Sequence, residues 1–504
     1  VKKKIKLKSY EMPMRKTLTQ GDDSQGHSMW QKKSNYKHMK SMLYNEWKIL
    51  SRNTWFLTLV LVLTLILGLT SWFGVRETTL LAEQQKQASS HIREQWDNQP
   101  AGNPHNAAHY GTYLFKPSSP LTGFDEGVNG VVGKTLYLEG HAQNEVQYSE
   151  ASQSIQASRF GKLRPALLLQ LIVPLLLIFL VFSSIRSERE SDRIRILLIQ
   201  GGSYRAVVWG KTLSYWLLGL VFLFITLFLQ LVLQPEAVNG EIIFRTLLIG
   251  LSYALFYWII CSLTAFLSAN LQQAGTALSL MLACWIIWGV FLPKVAGSMA
   301  ERLYKLPTRQ EFSEGMKNDR AKGLDGHNPE EEKLAQLKDS VLRHYQVSTV
   351  EELPINFDGV MMQADEEIGN VVWDKHFGDL YQAIRQQKAF IQASSVPNPL
   401  QSLQSVSMGF SGTDYAHHAD FMLKAEQYRR EFIKSLNDKH AYGGSKTGDW
   451  EWAADQEFYR SLKDFSYRAI PVNELFSVFW SDLAILLGWS LAGILLLNAL
   501  HFRL

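Results

Sequence analysis

Between Arg52 and Arg76 the sequence carries no charged residue, and its core reads WFLTLVLVLTLILGLTSWF. At about 1.5 Å of rise per residue, a helix of that length covers the roughly 30 Å of hydrocarbon in a bilayer. The segments Pro165 to Ile185, Thr212 to Gln234 and Leu483 to Leu500 pass the same test. The uncharged run from Thr246 to Pro293 is about twice the length one crossing needs, and it divides at SANLQQAGT, Ser268 to Thr276. The near-zero mean hydropathy of -0.08 conceals these runs because it averages them with long polar stretches. The expected fold is therefore an α-helical integral membrane protein with six transmembrane helices, over 54–74, 165–185, 211–234, 243–267, 276–293 and 481–500.

Lysine and arginine beside the spans set the orientation. Lys32, Lys33, Lys37, Lys40, Lys48 and Arg52 precede the first span, and Arg186, Arg189, Arg193, Arg195, Arg205 and Lys211 lie between the second and third. Both flanks are expected in the cytoplasm, as are both termini. Alternation then puts two long insertions outside, 75–164 and 294–480. The first reads as mixed α/β: it starts and ends helical, and VVGKTLYLEG is its best strand. The second reads as an all-α bundle with three apolar seams: Leu334, Leu337, Val341 and Tyr345; Phe377, Leu380, Ile384 and Ile391; Phe421, Ala425, Tyr428, Phe432 and Leu436. STVE, Ser348 to Glu351, has the spacing of a capping box. Trp55, Trp72, Trp209 and Trp480 fall near span ends, as interfacial aromatic rings do.

Several function classes are excluded or weakened. Gly127 to Thr135, GVNGVVGKT, resembles a phosphate-binding loop, but five residues instead of four separate Gly127 from Gly133 and the segment is expected outside the cell, where ATP is scarce. Cys261 and Cys284 both lie in spans, so no disulfide framework is expected. A formal charge of +4 over 504 residues gives no case for nucleic acid. No charged residue sits in the core of a span, which argues against an ion-coupled carrier. Neither HExxH nor a serine elbow is present to support an enzyme. No cleavable leader is expected ahead of the first span. The basic stretch over 1–40 reads as a disordered tail able to touch anionic membrane lipid.

Two stretches invite a binding role. SERESDRIRILLIQ, from Ser187, combines charges with an apolar edge at Ile194, Leu197 and Leu198, as a short helix docking into a partner groove would. In GTDYAHHADF, Asp414, His417 and His418 are spaced to share a helix face as metal ligands, although Asp414, Ser411 and Thr413 are equally well placed as helix caps.

Glu188-Arg189-Glu190 followed by RILLIQGGSYRAVVWGK resembles the loop between the second and third spans of ABC-2 type transporter permeases. MLYNEWKILSRN, Met42 to Asn53, is similar to the amphipathic elbow helix of that family. LPINFDG and NPLQSLQSVSMGFSGTDYAHHADFMLKAEQYRREF resemble motifs of a subgroup with large extracytoplasmic domains. Where the family usually has threonine or glycine after the Glu-Arg-Glu, this chain has Ser191 and Asp192. The resemblance implies an elbow over 41–53 containing Glu46, Trp47 and Arg52, and a cytoplasmic coupling loop over 186–210 in which Glu188, Arg189, Glu190 and Arg193 dock a separate ATPase. It implies a permease subunit in a bacterial inner membrane, paired with itself or a sister permease, with no cofactor of its own and with ATP and Mg held by the partner ATPase. The alternative is a mechanotransmitter that works its outer domains without moving a substrate. A continuous polar or aromatic path along Tyr253, Tyr257, Ser262 and the fifth span at a dimer interface would favour transport, and a closed Leu/Val/Ile seam there would favour mechanotransmission.

Overall fold

The computed structural model describes residues 39–146, 162–190, 193–199, 202–324 and 330–500. The expected basic tail lies almost entirely outside the described residues, as does the end of the first insertion, 147–161. Helix α1 covers residues 39–50. Six helices long and apolar enough to cross a membrane follow: α2 (Thr54–Asp97), α4 (Pro165–Glu190), α6 (Tyr204–Val232), α7 (Gly240–Asn270), α8 (Ala274–Leu303) and α15 (Val472–Asn498). The chain is a mostly helical, multi-pass membrane protein.

The helices outrun their apolar cores. Helix α2 continues well past the end of its uncharged run at Arg76, and α15 begins at Val472, ahead of the aliphatic stretch that starts at Leu483. Two spans contain a single π-turn, Leu168–Ile172 in α4 and Ile287–Phe291 in α8. Each lies just ahead of a proline, Pro174 or Pro293. Proline supplies no amide proton, and its ring pushes away the carbonyl four residues back, Gln170 or Gly289; the wider turn relieves that clash without ending the helix.

Helix α7 is the most enclosed span, with 61% of its apolar window buried, against 17% for α8 and 28% for α2 and α15. This enclosure bears on the choice between transport and mechanotransmission. Tyr253, Tyr257 and Ser262 are wholly buried inside the protomer and line no interface open to a second copy. The Tyr257 hydroxyl donates to the Leu169 carbonyl at 2.9 Å, and Gln170 Nε2 donates to the Tyr253 hydroxyl at 2.8 Å. Their polar atoms serve helix packing, where an unpaired hydroxyl in hydrocarbon would cost stability.

The head stands at one end of the spans. From the first insertion come α3 (Pro104–Tyr110) and an antiparallel pair, β1 (Thr112–Phe115) and β2 (Thr135–Leu138), with Thr112 opposite Leu138 and Phe115 opposite Thr135. The expected strand is thus present. From the second come α9 (Arg309–Lys322), α10 (Glu330–Tyr345), α11 (Phe357–Ala393), α12 (Pro399–Ser411), α13 (Tyr415–Tyr442) and the short α14 (Gln456–Ser461). The α13 seam is deeply placed: Phe421 and Ala425 bury against Leu114, Leu136 and Leu138 of the strands, and Leu436 against Ala107 of α3. The two insertions therefore share their cores. The α10 seam is looser, with Leu334, Leu337 and Val341 only half-buried.

STVE does not form a capping box. Val350–Glu352 is a single 3-10 turn with no side-chain cap, and the Ser348 amide donates to Glu352 instead. Pro354 follows too closely for a helix to grow there. A complete capping box lies at Thr308 and Glu311, opening α9.

Candidate functional site

At the end of the spans opposite the head, the basic flanks converge. Helix α1 lies across the start of α6, and the crossing is close at Gly210, where an added Cβ would come within 2.7 Å of Met42 Cβ. Next to it, Lys211 is buried. Its ammonium donates to Glu46 of α1 and to Ser184 Oγ at 2.9 Å, and Glu188 Oε1 lies 3.3 Å away. Tyr215 donates to Glu46 Oε2 at 3.0 Å. One ammonium thus holds two carboxylates and joins the elbow to the second and third spans.

The neighbouring arginines also face inward. Arg189 donates to the carbonyls of Ser268, Ala269 and Leu271 at 3.3, 2.9 and 2.9 Å, and Arg186 to those of Leu271 and Gln272 at 3.2 and 3.1 Å. These oxygens terminate α7 or follow it directly, where a helix leaves carbonyls without intrahelical donors and favours positive charge. Of the proposed docking residues, then, Glu188 and Arg189 tie spans together, while Glu190 is exposed beside Arg186. Arg193 opens the short helix α5 (Arg193–Ile199), whose Ile196 and Ile199 are 58% and 85% exposed. In the elbow, Glu46 is buried in the lysine network, Trp47 packs on the core, and Arg52 is exposed.

In the head, Asp414 is the N-cap of α13 and accepts from the Ala416 and His417 amides at 3.1 and 3.3 Å and from His417 Nδ1 at 2.5 Å. Burial raises its pKa, but the His417 bond and the Lys388 charge outweigh that and hold it well below the usual carboxylate range. Burial, with Lys116 nearby, pushes His418 down to about 4. Among the described residues, the group of three side chains whose donor atoms converge lies elsewhere, at His105, His109 and His141. Sequence reading passed over it, although PHNAAHY places two histidines at i and i+4 directly after an Asn-Pro helix start.

The GVNGVVGKT stretch follows a buried turn and leads into β2, the reverse of the strand-loop-helix order of a phosphate loop. Gly127, at φ +51°, lies against Thr413, whose carbonyl accepts from the Val128 amide at 3.0 Å. At the junction of head and spans, Asp125 accepts from Ser407 Oγ at 2.5 Å, and Ser407 also bonds the Tyr253 hydroxyl at 3.1 Å. Burial pushes the Asp125 carboxyl up.

Six membrane-crossing helices with a basic end and a large head define a multi-span membrane protein of the permease type. More narrowly, the chain belongs to the ABC-2 family transporter proteins, whose family model matches residues 42–349, more than half of its length. Residues 308–468, all within the head, match a family described as a domain of unknown function, DUF3526. No curated protein matches the chain.

Proposed function

We propose that this chain is the membrane subunit of a transporter driven by a separate cytoplasmic ATPase that docks at the basic end. The observation that carries this reading is α5: a short helix with two exposed isoleucines, next to exposed Glu190, rooted in spans whose ends are locked together by Arg186, Arg189 and Lys211. An apolar edge flanked by charge suits a groove on a soluble partner, and a rigid root lets force applied there reach the spans. The abundance of lysine and arginine supports placing this end in the cytoplasm, and the membrane of this reading is the inner membrane of a bacterium. ATP and Mg2+ belong to the ATPase, and a second permease copy or a sister chain completes the assembly.

A second reading, mechanotransmission to the head without substrate passage, draws support from α8. That span exposes Leu280, Ile286, Ile287 and Val290, a run of aliphatic side chains, while the buried tyrosines of α7 are turned inward. Purification of the tagged chain from native membranes, followed by mass spectrometry and an ATPase assay, tests the docking. We expect an ATPase to co-elute and to be lost from Ile199→Asp, with Glu190→Ala weakening it. Glu188 is a poor probe because it also neutralises Lys211. A chain that elutes alone and without hydrolysis would overturn the docking reading.

A further inference from the structure

We propose that His105, His109 and His141 form a zinc-binding site that clamps the two insertions of the head together. The donor nitrogens of the three imidazoles lie within 4.8 Å of one another. His105 Nε2 and His109 Nε2 are 3.0 Å apart, close to the roughly 3.3 Å expected of two nitrogens about 2.05 Å from one tetrahedral ion. His109 is exposed and the other two are half-buried, so an ion has a route in and a fourth position open to water.

The surroundings are built rather than incidental. His105 and His109 share a face of α3, which Asn103 caps through the His105 amide at 2.9 Å while its own side chain donates to the Trp450 carbonyl. His141 comes from the turn after β2 and adopts φ +59°, a left-handed conformation costly for a residue with a Cβ. Two bonds hold it there: the Gly140 amide to the Ala108 carbonyl at 3.0 Å, and the His141 amide to Glu366 Oε1 at 2.6 Å. His141 Nδ1 also lies 2.9 Å from Glu366 and 3.6 Å from Asp365. A carboxylate on Nδ1 fixes the ring and leaves Nε2 as the ligating nitrogen, the usual outer support of a metal-bound histidine. Glu366 is in turn held by Arg429 at 3.0 Å. Three imidazoles with carboxylate backing suit the later divalent transition metals, and a tetrahedral site with one open position suits zinc. The ligands come from the first insertion and their support from α11 of the second, so the ion would fasten one to the other.

The test uses the full chain in detergent, with a tag free of histidine, stripped by chelator and titrated with Zn2+ alone. We expect one Zn2+ per chain, with affinity falling at least tenfold in His109→Ala and remaining unchanged in His91→Ala, which alters an exposed histidine of α2. His109 is exposed, so its removal should leave the far-UV circular dichroism intact. A second measurement needs no variant: Zn2+ should shield His105, His109 and His141 from diethyl pyrocarbonate while His91 stays reactive. Binding equal in His109→Ala and wild type, or histidine reactivity indifferent to Zn2+, would leave only an imidazole-imidazole hydrogen bond and overturn the proposal.

Discussion

Two of the buried ion networks stand at opposite ends of the molecule and are built differently. At the basic end, Lys211 holds Glu46 and Glu188 with hydroxyl support from Ser184 and Tyr215, and the network contains no histidine. In the head, Arg429 holds Glu366 and Glu426, its guanidinium lies 4.7 Å from the centre of the Trp373 ring, and His141 shares the Glu366 carboxylate. The first joins helices that a motor could move as a unit. The second joins two separately inserted segments through His141, whose proton the Asp365 and Glu366 carboxylates hold until the pH rises towards 9. Fixity belongs to one end and responsiveness to the other.

Breaking the first network should have the largest effect. Lys211→Met leaves the buried Glu46 carboxylate without its cation, a loss of about 3–5 kcal/mol, read as a lower thermal midpoint and poor recovery from detergent. Adding Glu46→Gln to it should restore part of the loss. Arg429→Met should cost about 3 kcal/mol, the low end of the same range, because His141 still faces Glu366. Here the damage should be confined to the head, visible as faster proteolysis of α11 and α13 with α1 unaffected. Gly210→Ala, which drives a methyl into Met42, should cost about 1–3 kcal/mol and loosen the elbow in hydrogen exchange.

The smallest effect sharpens the contrast most. The side-chain bonds to Asp365 and Glu366 raise His141 to about 9, so its contribution is complete below its unfolded value near 6.5 and disappears as pH rises towards 9. Burial, with His109 and His141 adding like charge, lowers His105 to about 4; the head therefore also loses stability as pH falls from about 6.5 towards 4. In chelator, hydrogen exchange in head peptides should be slowest near pH 6.5 once corrected for intrinsic rates, and His141→Gln should flatten the alkaline side. Elbow peptides following the same curve would remove the distinction between the two ends.

The spans were legible because hydrocarbon demands long uncharged runs, and nothing else in the sequence imitates them. Strand β2 and the α13 seam were legible from local alternation and helical spacing. The inward roles of Arg189 and Glu188 were not, since a charged stretch beside a span reads as solvent-facing until the end of α7 is known to lie against it. Nor could spacing choose between STVE and Thr308 to Glu311, which carry the same cap signal; only the room for a following helix decides. The histidine group escaped because its third member is distant in sequence and arrives through a strained turn.

Helix α2 is continuous for 44 residues, a rod of about 66 Å at about 1.5 Å per residue, more than twice the thickness of the hydrocarbon it crosses. Its near end follows the elbow after three residues, and its far end donates from Arg93 and Trp96 to the backbone around α14. Pivoted at the elbow, a tilt of about 10° would sweep the far tip through roughly 11 Å. Such a shaft carries displacement across the bilayer, magnified, without any helix having to bend.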